Sequence, residues 1–83
     1  MNTAFLLMAQ FETPLIPIAK VGEFLGMSEH QINVQASKHQ LPFPVIKLSD
    51  SQKAPRFVRI EDLASHIDQQ AEKAKTVWKR NQL

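Results

Sequence analysis

Gln31, Asn33, Gln35, Ser37 and Lys38 crowd amide, hydroxyl and ammonium groups into a short stretch of chain. A primary amide offers a donor and an acceptor side by side and can pair with both edge groups of an adenine; serine and lysine make more permissive bonds to bases or phosphate. Each well-formed bidentate contact discriminates between bases by roughly 1–3 kcal/mol. On a helix, residues two apart diverge by about 200°, so these side chains do not all face one groove. Gln31 has a second use. It stands three residues after Ser28, the spacing at which a serine and a glutamine close a helix N-terminus between them.

Ser51, Gln52, Lys53 and Arg56 form a second polar group, in and beside the turn-rich run from Ser49 to Pro55. Residues 38–60 hold five cations against one acid, whereas residues 1–37 hold one cation against three acids and residues 61–83 are balanced. The positive charge therefore gathers around this second group and the last turns of the chain, where it attracts polyphosphate. The same charges also serve solubility and keep an exposed strand edge from pairing with other chains.

Catalysis finds no footing. His30, His39 and His66 lack metal-ligand spacing, and the chain has no cysteine, which removes thiolate chemistry, disulfides and cysteine-bound zinc together. His39 reads as a helix C-terminal residue, His66 as a surface residue, and His30 as a surface or phosphate-touching residue near a helix start. Asp62 and Asp68 read as helix-surface charges. There is no legible nucleophile–base pair and no glycine-rich phosphate loop. The expectation is a protein without enzyme activity, cofactor or metal.

The elements that must hold these groups follow from caps and periodicity. Thr3 to Gln10 suits a helix, with Thr3 as its cap, although so short an apolar run also admits a strand. Phe11 to Pro17 reads as a linker stiffened by Pro14 and Pro17. A first helix runs from Pro17 or Ile18 to Leu25, burying Ile18, Val21, Phe24 and Leu25, and Gly26 stops it. A second begins after Ser28 and reaches Lys38 or His39, held by Ile32 and Ala36. Pro42 and Pro44 then enforce extended backbone. Val45 to Leu48 and Phe57 to Ile60 read as strands around a tip too long for a tight turn. The last helix starts near Glu61, with Leu63, Ile67, Ala71, Ala74 and Trp78 on one stripe. Leu63 and Ile67 should enter the core; Ala74, Val77 and Trp78 should meet the N-terminal segment or a second copy.

This order makes a mainly α fold with a small β-hairpin: a winged helix-turn-helix, whose second helix enters the major groove. One domain is expected, with an apolar segment at 1–15, the helix-turn-helix at 17–39, the wing at 45–60 and the C-terminal helix at 61–80. At 83 residues such a domain buries only about 60% of its unfolded surface, so a partner subunit would help it. The apolar run Ala4 to Ala9 is far short of the roughly 20 residues a membrane span needs, and the start of the chain lacks signal-peptide features. A cytoplasmic protein is expected.

Ser28 to Ile67 resembles the excisionase-type winged helix-turn-helix, a relative of the MerR-like DNA readers. The matching features are Ser28, Leu41-Pro42, Val45-Ile46-Lys47, Arg56-Phe57-Val58-Arg59-Ile60 and Glu61-Asp62-Leu63. Across nearly the whole chain, Met1 to Gln10, Leu41-Pro42-Phe43-Pro44 and Asp50-Ser51-Gln52-Lys53 look like the pyocin activator PrtN family. The resemblance implies a transcription activator of prophage or bacteriocin-type genes that binds promoter DNA, with Lys53 at the duplex. In that family the middle of the second helix tends to be basic. Here it reads Asn33-Val34-Gln35, which lowers the phosphate affinity expected of it.

Two other functions compete. One is an excisionase-like directionality factor that binds and bends DNA beside an integrase. The other is a protein-binding adaptor using the N- and C-terminal helices, with RNA polymerase as one such partner. Double-stranded DNA is the partner the residues favour, and a homodimer the assembly.

Overall fold

A computed structural model describes residues 2–51 and 53–82. Its elements are α1 (Thr3–Phe11), β1 (Leu15–Pro17), α2 (Ile18–Leu25), α3 (Glu29–Ser37), β2 (Ile46–Lys47), β3 (Arg56–Arg59) and α4 (Ile60–Arg80). The fold is mainly helical with a small antiparallel sheet in the order β1-β3-β2. Among the described residues no helix is long and apolar enough to cross a membrane.

The sheet has one more strand than the hairpin expected. Residues 15–17 lie within what reads as a linker, yet Ile16 pairs opposite Val58, and both are fully buried. Pro17 is tolerable there because β1 is an edge strand and its missing amide faces no partner. The Ile60 amide donates to the Pro14 carbonyl at 3.0 Å and closes the end of this pairing. The other strands are slightly displaced. Only Ile46 and Lys47 pair in β2, leaving Leu48 exposed, and β3 ends at Arg59 so that Ile60 opens α4.

In α1 the cap is Asn2, not Thr3: its side-chain oxygen accepts the Phe5 amide at 2.7 Å. The Thr3 hydroxyl instead donates to the Asp68 carboxylate and ties α1 to α4. Leu7 alone of α1 is buried, with Ala4 and Phe11 packed against the core. Phe24, expected inside, is 40% exposed and rests edge-on against Phe11, ring centroids 5.6 Å apart.

Helices α2 and α3 approach closely for a specific reason. A Cβ built on Gly22 would lie 2.9 Å from Ile32 Cγ2, inside van der Waals contact, so only glycine lets the two helices meet at this separation. Gly26 then turns the chain with φ 77°, its conformation closed by the Met27 amide on the Gly22 carbonyl at 2.8 Å. Gly22→Val is expected to lower stability by about 1–3 kcal/mol through overpacking against a β-branched, fully buried neighbour. Urea denaturation with an unchanged m-value would record it.

Ile16, Val21, Ile32, Val58, Ile60 and Leu63 are the largest fully buried side chains and join both α2 and α3 to the sheet and α4. Each contributes about 1.5–3 kcal/mol by leaving water. Ile67 packs partly against this core. His66, expected at the surface, is half-buried and meets Phe43 edge-on at 5.6 Å. Beyond Ile67 the stripe runs out into solvent: Ala74, Val77 and Trp78 are exposed in the single chain.

Candidate nucleic-acid interface

The polar surface of α3 is set by what buries its other side. Ile32 and Ala36 point into the core. At about 100° per residue, His30, Val34 and Ser37 point the opposite way, with Gln31 and Lys38 beside them. Asn33 and Gln35 fall on opposite flanks, and both are half-buried. The five residues singled out on α3 therefore divide between an outward face and two edges. His30 and Val34 join that face although neither stands among them. The signal for both was the 3.6-residue period measured from Ile32.

Gln31 is spent on the helix start. Its side-chain oxygen accepts the Ser28 amide at 3.0 Å, while its own amide donates to Ser28 Oγ at 3.1 Å. The acceptor needed for a bidentate adenine contact is thus occupied, and the side-chain NH2 remains for a single donated bond. Asn33 is also engaged. Its Nδ2 donates to the Glu29 carbonyl at 2.9 Å, and its Oδ1 accepts from Arg56 Nη1 at 3.4 Å. The Asn33–Arg56 bond spans from α3 to β3 and couples the helix to the hairpin. The Ser37 hydroxyl donates to the Val34 carbonyl at 2.8 Å and keeps oxygen lone pairs free to accept.

Lys38 is the exposed C-terminal cap of α3. The chain leaves the helix through His39, whose φ is 55°. The His39 amide donates to the Ala36 carbonyl at 3.2 Å and the Gln40 amide to the Gln35 carbonyl at 2.9 Å, a two-bond closure that normally favours glycine. His39→Gly is expected to raise stability by about 0.5–1 kcal/mol, because relief of the left-handed strain exceeds the added chain entropy. A higher midpoint in thermal melting is the check.

Between the end of α3 and the sheet lies a cleft of about 220 Å³ lined by Ala36, Ser37, His39, Val45, Lys47 and Arg56. Lys47 and Arg56 stand directly opposite each other on β2 and β3. Like charges across an antiparallel pair repel, and an anion between or above them removes the cost. Lys47 is not among the residues singled out from sequence. Its place two residues after Val45, which packs against the core, puts it on the sheet face that carries Arg56 and is the signal that marks it.

At the hairpin tip the Ser51 hydroxyl accepts the Lys53 amide at 3.2 Å, and the Ala54 amide reaches the Ser51 carbonyl at 3.1 Å. Ser51 shapes the turn, and the exposed Lys53 extends from it. Gln52 lies outside the described residues. Arg59, on the same strand as Arg56, turns to Glu61 at 3.4 Å in an exposed ion pair. The structure thus brings Lys47 and Arg56 together beside one edge of α3, with Lys53 on the same hairpin, and leaves Lys38 at the end of the helix on its other edge. It does not bring Asn33 and Gln35 to one face.

Neither the curated proteins nor the solved structures contain a match to this chain. A family model described as pyocin activator protein PrtN matches residues 3–74. The matched span runs from the first residue of α1 through most of α4 and takes in the whole of α3 and the hairpin. On that extent of agreement, the chain belongs to the pyocin activator PrtN family.

Proposed function

We propose that this protein is a DNA-binding transcription activator of pyocin-type, prophage-borne genes, working in the cytoplasm as a binding protein and not as an enzyme. Its DNA-reading device is a winged helix-turn-helix: α2 supports, α3 enters the major groove, and the β2–β3 hairpin is the wing. His30, Ser37 and the free NH2 of Gln31 reach bases or the adjacent backbone. Lys38, Lys47 and Lys53 hold phosphate. Asn33 and Arg56 set the angle between helix and wing, with Arg56 also lending its charge to the cleft.

The observation that carries this reading is the like-charged pair Lys47–Arg56 in register beside the end of α3. With Lys38 on the other edge it flanks α3 with cations, where the duplex backbone passes when α3 lies in a groove. Family membership supports the activating outcome.

Fluorescence anisotropy tests it, using duplexes tiled across promoters of bacteriocin-type genes beside a scrambled duplex. The expected result is one or more promoter segments bound at least about a thousandfold more tightly than scrambled DNA, with affinity falling steeply as salt rises. Indifference to every duplex at low ionic strength would overturn the reading. A promoter reporter run beside a phage excision assay separates activation from recombination: the reporter should respond, and excision should not.

A further inference from the structure

We infer that the exposed half of α4 pairs with the same segment of a second copy, the two helices running antiparallel and crossing near Ala74. The apolar stripe that enters the core at Leu63 continues along the helix as Ala71, Ala74 and Trp78, but from Asp68 to Gln82 every residue is exposed. Trp78 is 61% exposed and Val77, at the edge of the stripe, 57%. The helix thus continues a buried face beyond the domain that buries it.

The occupant is identified by charge order. At about 100° per residue, Asp68, Glu72, Lys75 and Lys79 fall along one flank of the stripe. Glu72 and Lys75 meet there at 3.7 Å, both well exposed. Read along the chain, this flank is acid, acid, base, base. In an antiparallel pair of helices each flank meets its own copy in reverse order. The reversed order is base, base, acid, acid, so every charge meets its opposite: Glu72 faces Lys75 of the second copy, and Asp68 faces Lys79. A parallel pair would set this flank against the other one, where Lys73, Val77 and Arg80 stand, so Lys75 and Lys79 would meet no acid. Asp68 already accepts the Thr3 hydroxyl on Oδ1, and its other oxygen remains for the lysine.

The same alignment fits the apolar residues. With the crossing near Ala74, Trp78 of one copy lies against Ala71 of the other, a large side chain over a small one, and the two Ala74 residues let the backbones approach. Lys73 and Arg80 fall on the other flank of the stripe. This association needs no DNA. It rests on the proposed function only for its consequence there, two α3 helices presented to two half-sites.

The test is sedimentation equilibrium of the full chain without DNA, read together with emission from Trp78, the only tryptophan. The expected result is a concentration-dependent dimer whose tryptophan emission shifts to the blue as it forms. Trp78→Ala should weaken the dimer while circular dichroism and melting confirm the folded monomer. Glu72→Lys and Lys75→Glu should each weaken it roughly tenfold. Mixing those two variants should restore association as a heterodimer, because each then supplies the charge the other lacks.

A chain that stays monomeric at all concentrations would overturn the inference. So would a dimer unmoved by Trp78→Ala and both charge reversals, which would place the contact elsewhere, as on the exposed Phe5 and Leu6 of α1. A protein that dimerises in this way but ignores DNA sinks the proposed function alone. One that binds its promoter as a stable monomer sinks the dimer alone.

Discussion

Combining Lys38→Ala, Lys47→Ala and Lys53→Ala in one chain lowers affinity for a bound promoter duplex by about a hundredfold near physiological salt, and it flattens the salt dependence. Each neutralised phosphate contributes about 0.9 to the slope of log affinity against log salt, so three contacts remove nearly three. The loss should be similar on promoter and scrambled DNA, since phosphate contacts position the protein and carry no sequence information. The fold should survive, because all three side chains are exposed and make no core contact. Arg59→Ala provides the control. Arg59 is held by Glu61, so its removal should leave the slope nearly unchanged. Salt titrations by anisotropy decide the matter: an unaltered slope in the triple variant would place the duplex on another face of the molecule.

How far the chain could be read before its structure depends on the range of each signal. Local signals transferred well. Ser28 and Gln31 form the reciprocal cap that their spacing predicts, and Gly26 takes the left-handed turn that ends α2. The stripe from Leu63 to Trp78 sits on one long helix, as its period requires. What failed to transfer depended on partners distant in the chain. β1 is three residues long, follows Pro14 and ends on Pro17, so no alternation betrays it; only its pairing with β3, about forty residues on, makes it a strand. Asn33 reads as a base-contacting amide until Arg56 is brought beside it, and His66 reads as surface until Phe43 covers one edge of its ring. Gln31 carried two legitimate readings, cap and reader, and the local hydrogen bonds go to the cap. Gly22 passes unnoticed in sequence because a helical glycine has meaning only when a second helix presses on it.

The largest stability effect falls on Ile32→Ala, which should cost about 2–5 kcal/mol. Ile32 is fully buried, lies against Gly22 and anchors the whole inner side of α3. Few neighbours can move in to fill the space it leaves. Gly22 has no side chain to offer, and Ala36, the other buried residue of α3, is short. A domain of this size has a total stability of roughly 4–12 kcal/mol, so the loss is a large share of the whole. The variant should melt at a much lower temperature and lose duplex affinity with it. Ile32→Val removes a single methylene and should cost only about 0.5–1.5 kcal/mol, leaving affinity intact at low temperature. The contrast separates scaffold from contact. If α3 reads DNA with the side opposite Ile32, affinity in this series tracks the folded fraction and the salt slope of the folded molecules does not change. In the lysine series the slope changes and the folded fraction does not. Measuring melting and salt slope on both series therefore assigns each residue to holding the helix or to touching the duplex, and a change of slope in Ile32→Val would show that the two faces of α3 are not separate.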